Sequence, residues 1–153
     1  MALLGEIKSR AVKLLTTREH SRAELARKLS ARGYPAGLIE DVLDDLERSE
    51  LLSEARLVEA YVAERLRKGF GPLRIRFELR GKGLSDEQID PHLLLEDEAC
   101  LELIGVAHDR RFGAQVEGDV SEEPPPTLAK RARFLEYRGF PAHLIARYLE
   151  TVR

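Results

Sequence analysis

His20, His92, His108 and His143 are the side chains best suited to acid–base work or to holding a metal ion. No two of them stand at metal-ligand spacing, so they are expected as surface or helix-end histidines. Asp44-Asp45 and Glu96-Asp97-Glu98 are sequence neighbours on expected helices. They therefore point in different directions and form solvated faces, not a two-carboxylate centre. Gly69-Phe70-Gly71 resembles a phosphate loop only superficially. It lacks the Gly-Lys-Ser/Thr that reaches phosphate and magnesium, and Pro72 follows it. A turn between two helices is expected there. Cys100 is the single cysteine, which excludes an intrachain disulfide and a cysteine-based zinc site. It falls in the apolar rhythm of LEDEACLELIG, as a core residue does. The expectation is a chain that is not an enzyme, with no cofactor, no metal and no catalytic residue.

The basic clusters carry more information. In GPLRIRFELRGKG (71–83) a helical wheel puts Ile75 and Leu79 on one side. Leu73, Arg76, Phe77 and Arg80 fall opposite, with Arg74 and Lys82 towards the flanks. Arginines interleaved with apolar side chains can grip phosphates and stack on bases, or form an anchor-and-charge interface with a protein. Alternatively, Leu73 and Phe77 pack on a neighbouring helix while the arginines are solvated. AKRARFLEYRG supplies a second patch: Lys130, Arg131, Arg133 and Arg138. Here Arg131 and Leu135 take the places of Ile75 and Leu79, so the core register is expected to shift towards Phe134.

The elements that must position these residues come in copies. RGYPAGLIEDVL (32–43), KGLSDEQIDPHL (82–93) and RGFPAHLIARYL (138–149) align on Gly33, Gly83 and Gly139. Spacings of 50 and 56 residues mark a repeat. Each glycine stands where a helix ends in a left-handed residue. Ser21 with Glu24, and Ser85 with Gln88, make capping boxes, and Leu84 with Ile89 has the spacing of a hydrophobic staple. Pro72 suits a helix start, because its missing N–H costs nothing there. Helices are expected at 5–18, 21–32 and 36–48; at 53–68, 72–82 and 86–94; and at 96–112, 127–138 and 142–151. Nothing alternates with period two, so no sheet is expected. The fold class is all-α: tandem three-helix units, elongated or curved, at 1–50, 51–95 and 96–153. The third contains an acidic, proline-rich linker at 113–126, expected to be exposed and extended.

Composition bounds the class. The 153 residues are 43% hydrophobic and 34% charged, neither a disordered tail nor a membrane protein. The start, MALLGEIKSRAVKLL, is broken by charge within a few residues and lacks a signal-peptide core. A cytoplasmic monomer is expected. The net charge of −2 hides segment balances of 0 over 1–50, +4 over 51–83, −10 over 84–126 and +4 over 127–153. A polyanion would thus be met by local patches and not by a global field. Arginine outnumbers lysine 19 to 6, and Arg suits bidentate phosphate or carboxylate contacts. Middle helices starting at Ser21, Pro72 and Thr127 also fit a helix-turn-helix module, hence a rival expectation of a DNA-binding regulator.

REHSRAELARKLSARGY (18–34), LLSEARLVEAYV (51–62), GFGPLRIRFELRGKGL (69–84) and RARFLEYRGFP (131–141) together resemble the bacterial RecX regulatory family. The resemblance covers nearly the whole chain in family order, and 71–83 and 133–140 are its most specific parts. It implies tandem three-helix repeats, binding to the RecA recombinase filament on single-stranded DNA, modulation of it (mostly inhibition), and no catalysis. Weak, sequence-independent DNA contact belongs to the same expectation. The family commonly carries an acidic pair and an aromatic after Leu51-Leu52. This chain has Ser53-Glu54-Ala55-Arg56-Leu57-Val58, in which Ser53 can still cap the helix.

Overall fold

The computed structural model describes residues 2–113 and 124–152. Among them every regular element is helical and there is no strand. The α-helices are α1 (Ala2–Thr17), α2 (Arg22–Ala31), α3 (Ala36–Arg48), α4 (Glu54–Arg67), α5 (Pro72–Gly81), α6 (Asp86–Ile89), α7 (Asp97–Phe112), α8 (Leu128–Arg138) and α9 (Ala142–Thr151). Most of the expected 113–126 linker lies at 114–123, outside the described residues. No described helix is long and apolar enough to cross a membrane.

Helix ends follow local chemistry. Ser21 Oγ accepts the Glu24 N–H and Glu24 Oε1 accepts the Ser21 N–H, each at 3.0 Å, which satisfies two donors orphaned at the start of α2. Ser85 and Gln88 repeat the arrangement on α6. Thr127 caps α8 through the Lys130 N–H, and Ser53 caps α4 through the Arg56 N–H. Gly33, Gly83 and Gly139 all have positive φ, between 85° and 97°, as the alignment expects. One helix is shorter than expected. The segment 86–94 is α-helical only to Ile89 and continues as a 3-10 turn, Asp90–His92. Pro91 explains the change, since it has no N–H to donate to the helix, although Asp90 before it keeps the α conformation (φ −57°, ψ −39°).

The chain divides into two compact units, Met1–Tyr61 with Glu78–His92, and Val62–Phe77 with Leu93–Arg153. Two of the divisions fall inside α4 and α5 and the third just after the 3-10 turn. The first unit's core gathers Ile7 and Ala11 of α1, Leu25 and Leu29 of α2, and Ile39, Val42, Leu43 and Leu46 of α3. The α3 residues recur at i, i+3, i+4 and i+7, which places them on one face. The flank of that face carries Glu40, Asp44 and Glu47, all three bonded to Arg22. In the second unit Cys100, Ile104 and Ala107 of α7 meet Leu135 of α8 and Leu144, Ile145 and Leu149 of α9. Cys100 is therefore core, and burial raises its thiol pKa.

Two expectations are corrected. The register of α8 does not shift: Leu135 is fully buried, as Leu79 is on α5, while Phe134 is only half-buried. His20 stands at the start of α2, a helix end as expected, though buried; His108, inside α7, is neither at the surface nor at a helix end but buried, while His92 and His143 are exposed. His20 Nδ1 donates to the Arg18 carbonyl and Nε2 accepts from Lys28. Its pKa is lowered, chiefly by burial, so the neutral ring fits this role. Arg131 donates to His108 Nε2 at 2.7 Å, so His108 carries its own proton on Nδ1, beside Asp109 and Tyr148.

Candidate functional site

A joint between a helix start and a helix end is built at the equivalent place in each unit, through a side-chain hydroxyl in the first and through backbone N–H groups in the second. In the first unit the start of α2 meets the end of α5: Ser21 Oγ donates to the Lys82 carbonyl at 2.5 Å. A Cβ on Gly83 would come within 2.6 Å of the Ala23 Cβ. In the second unit the start of α5 meets the end of α8. Gly71 N–H donates to the Arg138 carbonyl at 2.7 Å and Leu73 N–H to the Gly139 carbonyl at 3.0 Å. A Cβ on Gly71 would lie 2.5 Å from that Gly139 oxygen, and one on Gly139 would collide with Arg74. In the alignment on Gly33, Gly83 and Gly139, Ser21 corresponds to Gly71 and Lys82 to Arg138. Gly69-Phe70-Gly71 is thus a tight interhelical turn, with Gly69 at φ 91°.

The side chains laid over the two joints are opposite in charge. At the first, Glu24 is buried and its Oε2 accepts from Arg18 at 2.8 Å and Lys82 at 3.3 Å. Burial would raise its pKa, but the Arg18 and Ser21 hydrogen bonds and the Lys82 and Arg18 charges overcome this and hold it at about 2. The corresponding residue at the second joint is Arg74. It lies 4.7 Å from the Phe70 ring centroid and 4.6 Å from that of Tyr137, and its Nη1 donates to the Tyr137 carbonyl. Arg65 and Arg138 sit over the same Phe70 ring, at 3.7 and 4.4 Å. Three guanidinium groups thus share one phenyl ring, a favourable cation–π geometry that does not cancel their mutual repulsion.

Arg138 is the most constrained of the three. Its Nη1 donates to the Lys68 carbonyl at 3.3 Å and its guanidinium also lies 5.0 Å from the Phe134 ring. Its Nε is buried and has no hydrogen-bond partner. Burial first, then the charges of Arg74 and Arg65, pull its pKa below the usual arginine value. A small cavity of about 130 Å³ opens beside it, lined also by Lys68, Arg110, Arg111 and Phe134. Every charged side chain on that wall is a cation. Arg110 donates to the Arg67 carbonyl, so three arginines cap the carbonyl ends of α4 and α8.

The residues singled out in the sequence are dispersed relative to this centre. Arg74 and Arg138 meet on Phe70. Arg80 is held by both oxygens of Asp86, at 2.6 and 2.8 Å, and Lys82 belongs to the Glu24 pair. Arg76 is half-buried, whereas Phe77 is 75% exposed. Arg131 turns inward to His108 and lies 5.2 Å from the Phe112 ring, while Lys130 and Arg133 stay exposed. Sequence reasoning missed Arg65, Lys68, Phe70, Arg110, Arg111 and Tyr137. The signal that could have found them is the replacement of Glu24 by Arg74 in the aligned copies. Among the described residues no cluster of His, Cys, Asp and Glu fit to hold a metal ion is found.

Comparison with known proteins agrees with this architecture. The family profile described as RecX, first three-helix domain, matches residues 8–46, and that described as RecX, second three-helix domain, matches 53–93. Regulatory protein RecX of Pseudomonas syringae pv. tomato is 41% identical over 143 residues, covering 94% of this chain and 89% of that protein. Regulatory protein RecX of Halorhodospira halophila is 40% identical over 136 residues, 89% of this chain and 81% of that one. The crystal structure of RecX from Lactobacillus salivarius superposes with a TM-score of 0.79 at 20% identity, over 98% of this chain and 96% of the other, which speaks for the fold alone. With two tandem three-helix domains matched in order and identity sustained along nearly its whole length, the chain belongs to the RecX family of regulatory proteins.

Proposed function

We propose that the chain regulates the RecA recombinase by binding the filament that RecA forms on single-stranded DNA, and that it restrains the filament's ATPase, strand-exchange and coprotease activities. The observation that carries this reading is the sustained identity to proteins named regulatory protein RecX. The chain acts as a binder and not as an enzyme, as a monomer in the cytoplasm. It is built of three units, 1–50, 51–95 and 96–153, the first two being those the family profiles match. Arg74 and Arg138 supply the central cationic contact, and exposed Lys130 and Arg133 with Phe77 extend it. Arg80 and Lys82 contribute less, because carboxylates of their own chain already hold them. Several modest contacts on one chain raise the effective concentration for each later one, so binding across adjacent filament subunits hinders the rearrangements coupled to ATP turnover.

The test is suppression of single-strand-dependent ATP hydrolysis by RecA, with co-sedimentation of the chain and the filament. Wild-type protein is expected to suppress and to co-sediment, and Arg74→Glu to weaken both about tenfold or more. A chain that leaves both hydrolysis and sedimentation unchanged at every ratio overturns the reading. Sequence-preferring duplex binding without the recombinase would favour instead the helix-turn-helix regulator.

A further inference from the structure

We propose that the cavity beside Arg138 is a binding site for a single phosphate group. The first joint serves as an internal control. There Arg18 and Lys82 are neutralised by an anion of the chain itself, the Glu24 carboxylate. Their counterparts, Lys68 and Arg138, line the cavity of the second joint. Lys68 keeps a partner in Glu64, at 3.1 Å, but the residue that should bring an anion to Arg138 is Arg74, and among the described residues no carboxylate bonds Arg138, which leaves that place to an anion from outside. Arg138 Nε, buried and unpartnered, is a donor left over by the folded chain. Its guanidinium is disfavoured by burial and by three neighbouring arginines, and an incoming oxyanion relieves both.

Charge and shape favour phosphate over carboxylate. Lys68, Arg110, Arg111 and Arg138 approach from the ends of three different helices, α4, α7 and α8. A tetrahedral phosphate offers acceptors in several directions, including pairs that suit an arginine fork, whereas a carboxylate offers two coplanar oxygens. The cavity of about 130 Å³ suits a group of that size and not a whole nucleotide. The aromatic support from Phe134 and Phe70 holds Arg138 in place before the ligand arrives, which lowers the ordering cost of binding. The phosphate is either a free ester or one link of a polynucleotide backbone. Use of the site on a recombinase–DNA filament rests on the reading above; the binding itself does not.

The test uses the full chain without recombinase. Inorganic phosphate is titrated at low ionic strength and followed by phosphorus NMR and by the shift in melting temperature. Saturable binding is expected, weakened about tenfold in Arg111→Glu and unchanged within about twofold in Arg27→Glu, which makes the same change of charge on the exposed face of α2, outside the cavity. Competition by oligodeoxythymidylate would identify a strand backbone as the source, and its absence a free phosphate ester. Absence of saturation, equal weakening by both variants, or binding of polyglutamate in place of phosphate overturns the proposal. Suppression of RecA with no phosphate binding would sink this inference and leave the functional reading standing; phosphate binding with no suppression would do the reverse.

Discussion

The two joints occupy equivalent places in the aligned copies and differ in what lies over them. At α2 and α5 a buried carboxylate sits between two cations, so charge is balanced within the chain and the joint is closed. At α5 and α8 the corresponding position is an arginine, and the cations rest on aromatic rings. Rings hold guanidinium groups in place without discharging them. The lesson is that a duplicated joint can be turned from a structural clasp into a receptor by one change of sign, provided that the backbone contacts alone keep it shut.

That comparison can be broken at the backbone. Gly139→Ala should destabilise the chain most, by about 3 kcal/mol or more, because the new methyl group meets Arg74 backbone as well as a positive φ. Gly83→Ala, which meets only the Ala23 methyl group, should cost less. Gly33→Ala, with open space around it, should cost only about 1 kcal/mol. Denaturant unfolding measures all three, and equal losses would mean that the close approach at Gly139 is unimportant.

The charges are tested next. Glu24→Gln keeps the shape of the first joint but leaves Arg18 and Lys82 uncompensated, and should cost about 2–3 kcal/mol. Because Glu24 titrates at about 2 against an ordinary 4.5, its contribution is complete above pH 4.5 and is lost as pH falls towards 2. The total is at most about 3 kcal/mol. Amide protection, with the intrinsic pH dependence of exchange divided out, should therefore fall between pH 4.5 and 2 around Ser21 more than at Gly71 and Leu73, whose joint holds no such carboxylate. Arg74→Glu installs the first arrangement in the second joint. Melting should rise slightly, by about 0.5–1 kcal/mol of stability, as Arg138 gains a partner. A fall in melting temperature would show that Arg74 acts mainly through its rings and its bond to the Tyr137 carbonyl. Arg80→Ala breaks an exposed surface pair and should leave melting nearly unchanged.

What was legible in the sequence was whatever depends on near neighbours. Ser21 with Glu24, Ser85 with Gln88, Pro72 and the three glycines each announce a helix boundary through contacts a few residues long. Pro91 announced one too, yet the apolar spacing of Ile89 and Leu93 drew the expected helix past it to Leu94, which is 82% exposed. Leu135 kept its register because burial of a leucine outweighs the half-buried Arg131 one turn earlier, which found His108 instead. Of the candidate site, Arg74 and Arg138 were visible by type and position. Arg65, Lys68, Arg110 and Arg111 were not, because Arg138 reaches them across some 70 and 30 residues of chain. Distance in sequence also hid His20 and His108, whose burial depends on neighbouring helices.

Because the middle copy is divided between the two compact bodies, synthesis order matters for how each matures. When only the first fifty residues have left the ribosome, α1 to α3 can collapse, but Ser21 lacks its acceptor and Glu24 lacks one cation until Lys82 emerges. The second body waits longer, since Gly71 and Leu73 need the carbonyls of Arg138 and Gly139 near the other end of the chain. A premature stop shortly before Arg138 would therefore release a product with a finished first body and an unclosed second one, an attractive target for proteolytic clearance.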